Sequence, residues 1–131
     1  MRLYSVAEAS ALLPKVIPVL EQLRDAFASL RAVHASIAAD RRGSSGDGNL
    51  LTDAWDKDAI HNRVRPMEAA LEAAEAQFEN WGIEVKDPAR GLIDFYHERA
   101  GEVVSLCFLF GEDSLAYWHT LDGGFAGRQP L

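Results

Sequence analysis

Apolar residues in the first third of the chain recur at alternating spacings of three and four, the pattern of a helix that buries one face. The positions on this face are Leu13, Val16, Leu20, Leu23, Phe27, Leu30, His34 and Ile37. The pattern predicts a long helix from about Pro14 to Asp40. Upstream, Ser5 and Glu8 have the spacing of a capping box, in which each side chain accepts a hydrogen bond from the other residue's backbone. We therefore expect a short first helix that begins at Ser5 and runs into the long one at Pro14.

A later stretch with the same spacing predicts a second long helix. Its apolar positions are Ile60, Val64, Met67, Leu71, Ala74, Phe78 and Trp81. Thr52 or Asp53 is expected to cap its start, Gly82 to end it, and Pro66 to kink or split it. The glycine- and serine-rich segment 41–49 predicts a loop between the two helices. Two long helices joined by one loop are expected to form an antiparallel hairpin.

From Ile83 onward apolar and polar residues alternate, as they do in strands with one buried face. The predicted strands are Ile83–Lys86, Leu92–Arg99, Glu102–Phe110 and Leu115–Leu121. Short connections between them predict a four-stranded antiparallel meander that packs on the helical hairpin. The expected fold class is α+β. One domain covers residues 1–131, with the hairpin over about 5–81 and the meander and a glycine-rich tail over about 82–131.

Tight turns at Ala100–Gly101 and Gly111–Ser114 also predict the pairing of the strands, and place His119 opposite Leu106. The set expected to face the helices is Ile83, Val85, Ile93, Phe95, Val104, Leu106, Phe108, Phe110, Leu115, Tyr117 and Leu121, together with His97 and His119. The set expected on the other face is Glu84, Lys86, Asp94, Tyr96, Ser105, Cys107, Trp118 and Thr120. Because neighbouring side chains alternate between faces, a metal site or a nucleophile pair made by Cys107 and His119 is not expected.

The composition is that of a globular domain, with 131 residues, 48% of them hydrophobic and 25% charged. The formal net charge of −7 argues against a nucleic-acid partner, which needs a clustered basic surface. A single cysteine rules out an internal disulfide and is typical of a reducing compartment. Near Met1 there is no apolar signal segment, and no apolar run has membrane-spanning length. We expect a cytoplasmic protein with no membrane partner.

Candidate functional residues are concentrated in the last third of the chain. The candidate catalytic residues are His119, Glu112 and Asp122, and the candidate ligand-binding residues are Arg128, Trp118 and Asp94. An imidazole beside carboxylates is suited to proton transfer, and the planar guanidinium of Arg128 is suited to a small anionic ligand. The alternatives are a core histidine at 119 and a tail whose glycines serve tight turns. Cys107, beside Asp94, is expected to be an inert buried thiol rather than a reactive one, since a carboxylate raises a thiol's pKa.

A second candidate site lies on the two helices. In an antiparallel hairpin, His34 and His61 fall at a similar level, and the carboxylates nearby are those of Asp40, Asp56 and Asp58. Two histidines and a carboxylate would suit a divalent metal. Neither helix has the Glu-x-x-His spacing of di-iron bundles. We therefore expect no metal and no cofactor, with His34 and His61 as the alternative metal site.

Several short pieces of the chain together resemble one family. They are Gly82–Asp87, Gly91–Phe95, Glu102–Val103, Leu106–Cys107, Gly111–Glu112, Trp118–His119 and Gly124–Pro130, with Ala7–Ala9 and Leu12–Pro14 near the start. The combination is similar to an uncharacterised bacterial family called domain of unknown function 2203 (DUF2203). The resemblance spans most of the chain and implies the fold boundaries but no activity. Two departures are Phe108, where the family often has Trp, and His97, where it often has Pro.

The predicted helices are longer than the predicted sheet is wide. A helix of about 27 residues is ~40 Å long, whereas a four-stranded sheet is ~15–20 Å wide. Part of the apolar helical face therefore needs another partner. We expect a non-enzymatic, homodimeric binding or scaffold protein in which helices from two copies complete a bundle. The alternative is a small metal- or anion-dependent enzyme that uses Glu112, His119, Asp122 and Arg128.

Overall fold

Two long helices are followed by a five-stranded antiparallel sheet in the computed structural model, which describes the backbone of residues 1–43 and 50–131 and the side chains of 1–39 and 57–131. The elements are α1 (Val6–Gly43), α2 (Leu50–Trp81), β1 (Ile83–Asp87), β2 (Leu92–Arg99), β3 (Glu102–Leu109), β4 (Tyr117–Thr120) and β5 (Gln129–Pro130), with a 3-10 turn (Phe125–Gly127) before β5. The strands are ordered β1-β2-β3-β4-β5 in the sheet. The predicted α+β class is confirmed, but the prediction of four strands is wrong, because the tail adds a fifth strand beside β4.

The capping box at the start of α1 is confirmed. Ser5 N–H donates to Glu8 Oε1 and Glu8 N–H donates to Ser5 Oγ, both at 3.0 Å. The expected division of the helix at Pro14 is wrong, since α1 runs without a break from Val6 to Gly43. Ala9 before the proline and Val16 after it are both fully buried in the same core. Packing on both sides of Pro14 therefore keeps the helix continuous despite the backbone hydrogen bond that a proline removes.

The boundaries of the hairpin also differ from the prediction. Helix α1 ends at Gly43 and α2 begins at Leu50, so residues 41–43 of the predicted loop belong to α1, and residues 44–49 lie outside the described residues. Pro66 does not split α2. Gly82 ends it as predicted, with φ of 69° and its N–H donated to the carbonyl of Glu79 at 3.0 Å. Only glycine takes up such a left-handed conformation without strain.

The predicted apolar face of α1 is mostly confirmed. Its buried members are Leu13, Val16, Leu20, Leu23 and Leu30. His34 is exposed, and Val33 takes its place in the interior. Likewise Ala26 is buried while Phe27 is only half-buried. At both places the buried residue lies one position before the predicted one.

The helices and one face of the sheet share a single core, and we call that face of the sheet the inner face. Core residues from the sheet are Ile83, Ile93, Phe95, Leu106 and Phe108, joined by Leu115 from the β3–β4 connection. Farther along the hairpin a separate cluster contains Leu30 and Val33 of α1 and Val64 of α2. The shared core joins the first half of α1 to Ala74 and Phe78 of α2, whereas this cluster joins a later part of α1 to an earlier part of α2. The two helices therefore run in opposite directions. No helix in the described parts of the chain combines the length and the apolarity that a membrane span requires.

The predicted pairing of the first three strands is confirmed. Val85 lies opposite Ile93, and the β2–β3 pairing continues without a shift to Arg99 opposite Glu102. The predicted pairing of β3 with β4 is wrong by one residue, because Leu106 lies opposite Trp118 rather than His119. A shift of one residue sends every side chain of a strand to the other face. Trp118 therefore packs against the core, and His119 lies on the outer face, away from the helices.

Two turns at the same end of the sheet approach each other closely at Gly91, and this contact should be visible in stability measurements. Gly91 and Gly101 both have positive φ, 71° and 81°, which costs an alanine about 1–2 kcal/mol. Of these two glycines, only Gly91 has a neighbour that an added Cβ would meet too closely, the Cβ of Phe110 at 2.6 Å. We expect Gly91→Ala to lower the free energy of unfolding by about 1–3 kcal/mol more than Gly101→Ala. Urea unfolding of both variants measures the difference, and equal losses would contradict this packing.

Candidate functional site

Three residues with metal-binding side chains meet on the outer face of the sheet. Asp94 of β2 lies opposite Cys107 of β3, and His119 of β4 lies one diagonal step away, opposite Ser105. One ligand atom from each of Asp94, Cys107 and His119 lies within 4.8 Å of the other two. We call these three residues the Asp–Cys–His cluster. No other such group is found among the described residues.

The cluster contradicts the expectation that Cys107 and His119 lie on opposite faces. The reason is found at the end of β3. Phe110 N–H donates to the carbonyl of Gly91 on the β2 side, so the preceding N–H, of Leu109, points toward β4. There it donates to the carboxylate of Glu112 at 2.6 Å instead of to a strand carbonyl. The ladder therefore ends early, the β3–β4 connection is longer than a tight turn, and β4 pairs one residue out of the predicted register.

All three members of the cluster are buried, although no helix covers the outer face. Asp94 and Cys107 are 0% exposed and His119 is 1% exposed. His119 Nε2 is 3.1 Å from Asp94 Oδ1. The second carboxylate oxygen, Asp94 Oδ2, is also buried and has no hydrogen-bond partner among the described residues. The Cys107 thiol is a donor beside this carboxylate, but a thiol is a weak donor, so Asp94 Oδ2 has no strong hydrogen bond inside the cluster.

The hydrogen bonds of His119 determine how many protons the cluster holds. Its Nδ1 lies 2.6 Å from the carbonyl oxygen of Thr120. A carbonyl only accepts, so Nδ1 carries a proton. The contact between Nε2 and Asp94 Oδ1 then requires one further proton, held by either atom. In both arrangements the His119–Asp94 pair has no net charge.

The thiol of Cys107 is not activated for nucleophilic attack. Burial, and next the negative charge of Asp94, raise its pKa to about 12, while the positive charge of Arg128 opposes this. A nucleophilic cysteine needs a thiolate and an imidazole that takes its proton. Here both ring nitrogens of His119 have oxygen partners. The expectation of an inert thiol therefore agrees with the geometry at neutral pH, and a Cys–His nucleophile is not formed.

The donor atoms of the cluster do suit a metal ion. Imidazole nitrogen, carboxylate oxygen and thiolate sulfur together are typical ligands of Zn²⁺ and of similar divalent transition metals. In a tetrahedral zinc site such atoms lie about 3.5 Å from one another, as follows from Zn–N and Zn–S bonds of roughly 2.0 and 2.3 Å. Atoms already within 4.8 Å need only small side-chain movements to reach this geometry. A coordinating thiol loses its proton even when its free pKa is high.

Glu112 and Arg128, two of the predicted site residues, form an ion pair next to the cluster. Arg128 Nη2 donates to Glu112 Oε1 at 2.7 Å and to Oε2 at 2.8 Å. The same nitrogen lies 3.4 Å from the carbonyl oxygen of Cys107. The guanidinium carbon stands 4.0 Å from the ring centroid of Tyr117. Glu112 thus occupies the place that an external anion would take, so anion binding at Arg128 stays a prediction and would require displacement of this carboxylate.

A second polar pair lies beside Asp94 on the same face. Tyr96 hydroxyl donates to Glu84 Oε2 at 2.6 Å. This hydrogen bond is the main reason why the pKa of Tyr96 is raised to about 12 and why the pKa of Glu84 is lowered. The outer face next to the cluster therefore carries a fixed carboxylate and an un-ionised phenol at neutral pH.

The other candidate residues do not join the cluster. Trp118 lies on the inner face against the core, with the guanidinium carbon of Arg99 4.4 Å from its ring centroid. Asp122 is exposed after β4. His34 and His61, the alternative metal site, are both exposed on the helices. Asp58 is exposed as well, and the side chains of Asp40 and Asp56 lie outside the described residues.

The sequence did contain a signal for the true register. Tyr117 and Trp118 are adjacent, and only one of them can face the core. Tyr117 and His119 share one face, so a register with Tyr117 in the core also places His119 there. In the structure it is Trp118, the larger apolar residue, that packs against the core. Tyr117 instead stacks with Arg128 on the outer face. The predicted neighbours Cys107 and Asp94 are confirmed as opposite residues, so the missing member was His119.

Comparison with known families gives one match. A family model described as "Uncharacterized conserved protein (DUF2203)" matches residues 2–131, which is essentially the whole chain. No curated protein and no solved structure matches the sequence significantly.

Proposed function

The chain belongs to the DUF2203 family of uncharacterized conserved proteins, and we propose that it binds a divalent transition-metal ion, with Zn²⁺ as the best fit, through the Asp–Cys–His cluster. The observation that carries this proposal is the group of three buried potential ligand atoms that lie within 4.8 Å of one another, one of them from Asp94, whose Oδ2 has no strong hydrogen bond. A metal ion at this position would supply the missing partner. Mg²⁺ and Ca²⁺ are poorer candidates because they prefer oxygen ligands only.

Charge balance supports a divalent ion in particular. Before binding, the cluster holds a neutral thiol and a His119–Asp94 pair without net charge. After binding, a carboxylate and a thiolate would balance the two positive charges of the ion, and the imidazole of His119 would be neutral at Nε2. The exchange of two protons for one divalent ion leaves the site neutral. A neutral site avoids the large cost of an uncompensated charge at residues that are 0–1% exposed.

The geometry favours a binding role over catalysis at this site. Three protein ligands leave a fourth position, which in catalytic zinc sites holds water and is open to substrate. Here all three ligands are buried and the free thiol has a pKa of about 12. This agrees with the expected non-enzymatic binding protein. A reducing, cytoplasmic location is part of the proposal, since the single cysteine must stay a free thiol in order to coordinate the ion.

Metal binding is tested by titrating chelator-treated full-length protein with Zn²⁺ in a calorimeter. We expect one ion per chain, and a loss of affinity of at least about a hundredfold in Cys107→Ala, His119→Gln and Asp94→Asn, because each removes a ligand. The control is the double variant His34→Gln with His61→Gln, which removes two exposed imidazoles and should bind as the wild type does. Failure of the wild type to bind Zn²⁺, or loss of binding in the control, would overturn the proposal.

A spectrum of the wild type keeps the test informative if the buried variants fold poorly. Co²⁺ in place of Zn²⁺ should produce a thiolate-to-cobalt charge-transfer band in the near ultraviolet, because Cys107 is the only thiol in the chain. A cobalt complex without that band would place the ion elsewhere.

The proton count of the cluster gives a pH dependence with a defined sign. Binding should release at least the proton of the Cys107 thiol, whose pKa is about 12. Affinity should therefore rise by about tenfold or more per pH unit, since each released proton contributes about tenfold. Calorimetry in buffers with different ionisation enthalpies measures the number released. A value near zero would mean that Cys107 does not coordinate the ion.

We also propose that two copies associate through the hairpin, as expected from the length of the helices. Helix α1 has 38 residues and is therefore ~57 Å long, well over twice the ~20 Å width of a five-stranded sheet. Beyond the sheet, Leu30, Val33 and Val64 are buried within one chain. Half-buried apolar residues flank them, namely Ile37, Ile60 and Met67. These flanking residues are the surface that a second hairpin would cover.

Light scattering coupled to size-exclusion chromatography tests this association. We expect a mass of about twice 14.4 kDa at micromolar concentration. Ile60→Arg should shift the mass toward that of one chain, because it places a charge in the apolar surface that a second hairpin would cover. Glu75→Arg, at an exposed position of α2, is the matched control and should keep the mass. A wild type that elutes as a single chain contradicts the dimer without affecting the metal proposal.

A further inference from the structure

Residues 122–128 follow β4 and return beside the cluster, and we call this segment the strap. The outer face has no helical layer, yet Asp94 and Cys107 are 0% exposed. Arg128, at the end of the strap, lies on this face next to Tyr117 and the carbonyl oxygen of Cys107. Phe125, in the middle of the strap, has its ring centroid 4.7 Å from the guanidinium carbon of Arg90, which belongs to the β1–β2 turn. The strap therefore links the end of β4 to the β1–β2 turn at one end of the sheet.

One side chain fastens the strap to the sheet. Arg128, at its end, makes the ion pair with Glu112. It also approaches the backbone carbonyl oxygen of Cys107, a residue whose sulfur is a proposed ligand. Its guanidinium carbon is 4.0 Å from the ring centroid of Tyr117 and 4.7 Å from that of Phe125. The side chains of Arg128 and Glu112 are 12% and 22% exposed. Charge-assisted hydrogen bonds at such partly shielded positions are among the stronger polar contacts in proteins.

The rest of the strap is weakly held. The 3-10 turn Phe125–Gly127 contains no buried residue, and Phe125 itself is 37% exposed. The strand that follows, β5, has only two residues. Segments with little buried apolar surface open locally at a free energy well below that of global unfolding. Arg128 thus makes the side-chain hydrogen bonds that join the strap to the rest of the sheet.

We propose that the strap controls access to the Asp–Cys–His cluster, with the Arg128–Glu112 ion pair as its fastening. This inference rests on the proposed function, in that the species admitted is the metal ion. The strap opens for an ion to reach the buried ligands, and closes with Arg128 against the carbonyl of Cys107. Breaking the fastening raises the rates at which an ion enters and leaves, and changes the affinity of the closed site much less.

Labelling of Cys107 by a small thiol reagent tests access without any metal. The full-length protein is labelled in the presence of a chelator, and Arg128→Gln is compared with the wild type. We expect labelling to be faster by about tenfold or more, since a hydrogen bond to a charged group contributes about 1.5 kcal/mol or more. Loss of the positive charge of Arg128 by itself raises the pKa of the thiol and slows labelling. Acceleration therefore reports access.

Arg99→Gln is the matched control. Arg99 makes a similar contact to an aromatic ring of β4, at 4.4 Å from Trp118, but on the other face and away from the strap. This variant should label as the wild type does. Labelling in low concentrations of urea separates local from global opening: the rate in Arg128→Gln should depend on urea far less than global unfolding does. An unchanged labelling rate in Arg128→Gln, or a urea dependence equal to that of global unfolding, would overturn the proposal that the strap controls access.

The two proposals fail in different ways. Stopped-flow mixing of Zn²⁺ with the wild type and with Arg128→Gln should give faster association and dissociation in the variant. If Zn²⁺ does not bind but labelling accelerates, the strap stands as a cover of the cluster and the metal proposal is wrong. If Zn²⁺ binds and neither labelling nor the binding rates change, the cluster binds metal and the strap does not control it.

Discussion

The chemistry of the outer face depends on the hydrogen-bonded pairing of β4 with β3. In that pairing His119 lies opposite Ser105 and Tyr117 lies opposite Cys107. A shift of one residue would turn His119 toward the helices and Trp118 toward the outer face, and would separate the three potential ligands. The pairing is held at one end by Glu112, whose carboxylate takes the N–H of Leu109 that would otherwise extend the ladder. At the same end of β4, the Leu131 N–H donates to the carbonyl of Ala116 at 2.9 Å.

The same carboxylate links the backbone register to the cover of the cluster. Glu112 accepts a hydrogen bond from the Leu109 backbone and also pairs with Arg128 at the end of the strap. A single side chain in the β3–β4 connection thus ends one strand and holds the segment that shields the outer face. Both side chains lie beside a face whose polar residues are as buried as those of the core. This arrangement explains why Glu112 and Arg128, which carry no proposed ligand atom, matter for the site.

The two faces of the sheet have different physical roles. The inner face packs on the hairpin and supplies the apolar burial that stabilises the fold, with Phe95, Leu106 and Phe108 at its centre. The outer face buries an acid, a thiol and an imidazole, an arrangement that contributes little apolar burial and leaves one oxygen unsatisfied. Buried polar groups without full hydrogen bonding are unusual in folded proteins and call for a specific explanation. The proposed divalent ion would give Asp94 Oδ2 a partner and keep the site neutral.

Local signals in the sequence determined that two long helices and the first three strands form, although α1 is continuous through Pro14. The capping box of Ser5 and Glu8, the stop at Gly82 and the pairing of Arg99 with Glu102 all depend on residues close together in the chain. The fourth strand was different, because its register depends on a side-chain contact in a longer connection and on which of two adjacent aromatic residues fits the core. The strap depends on Arg128 reaching back to Glu112. Only the tertiary structure decided that Asp94, Cys107 and His119 meet, since alternation along a strand identifies faces but not the one-residue shift that exchanges them.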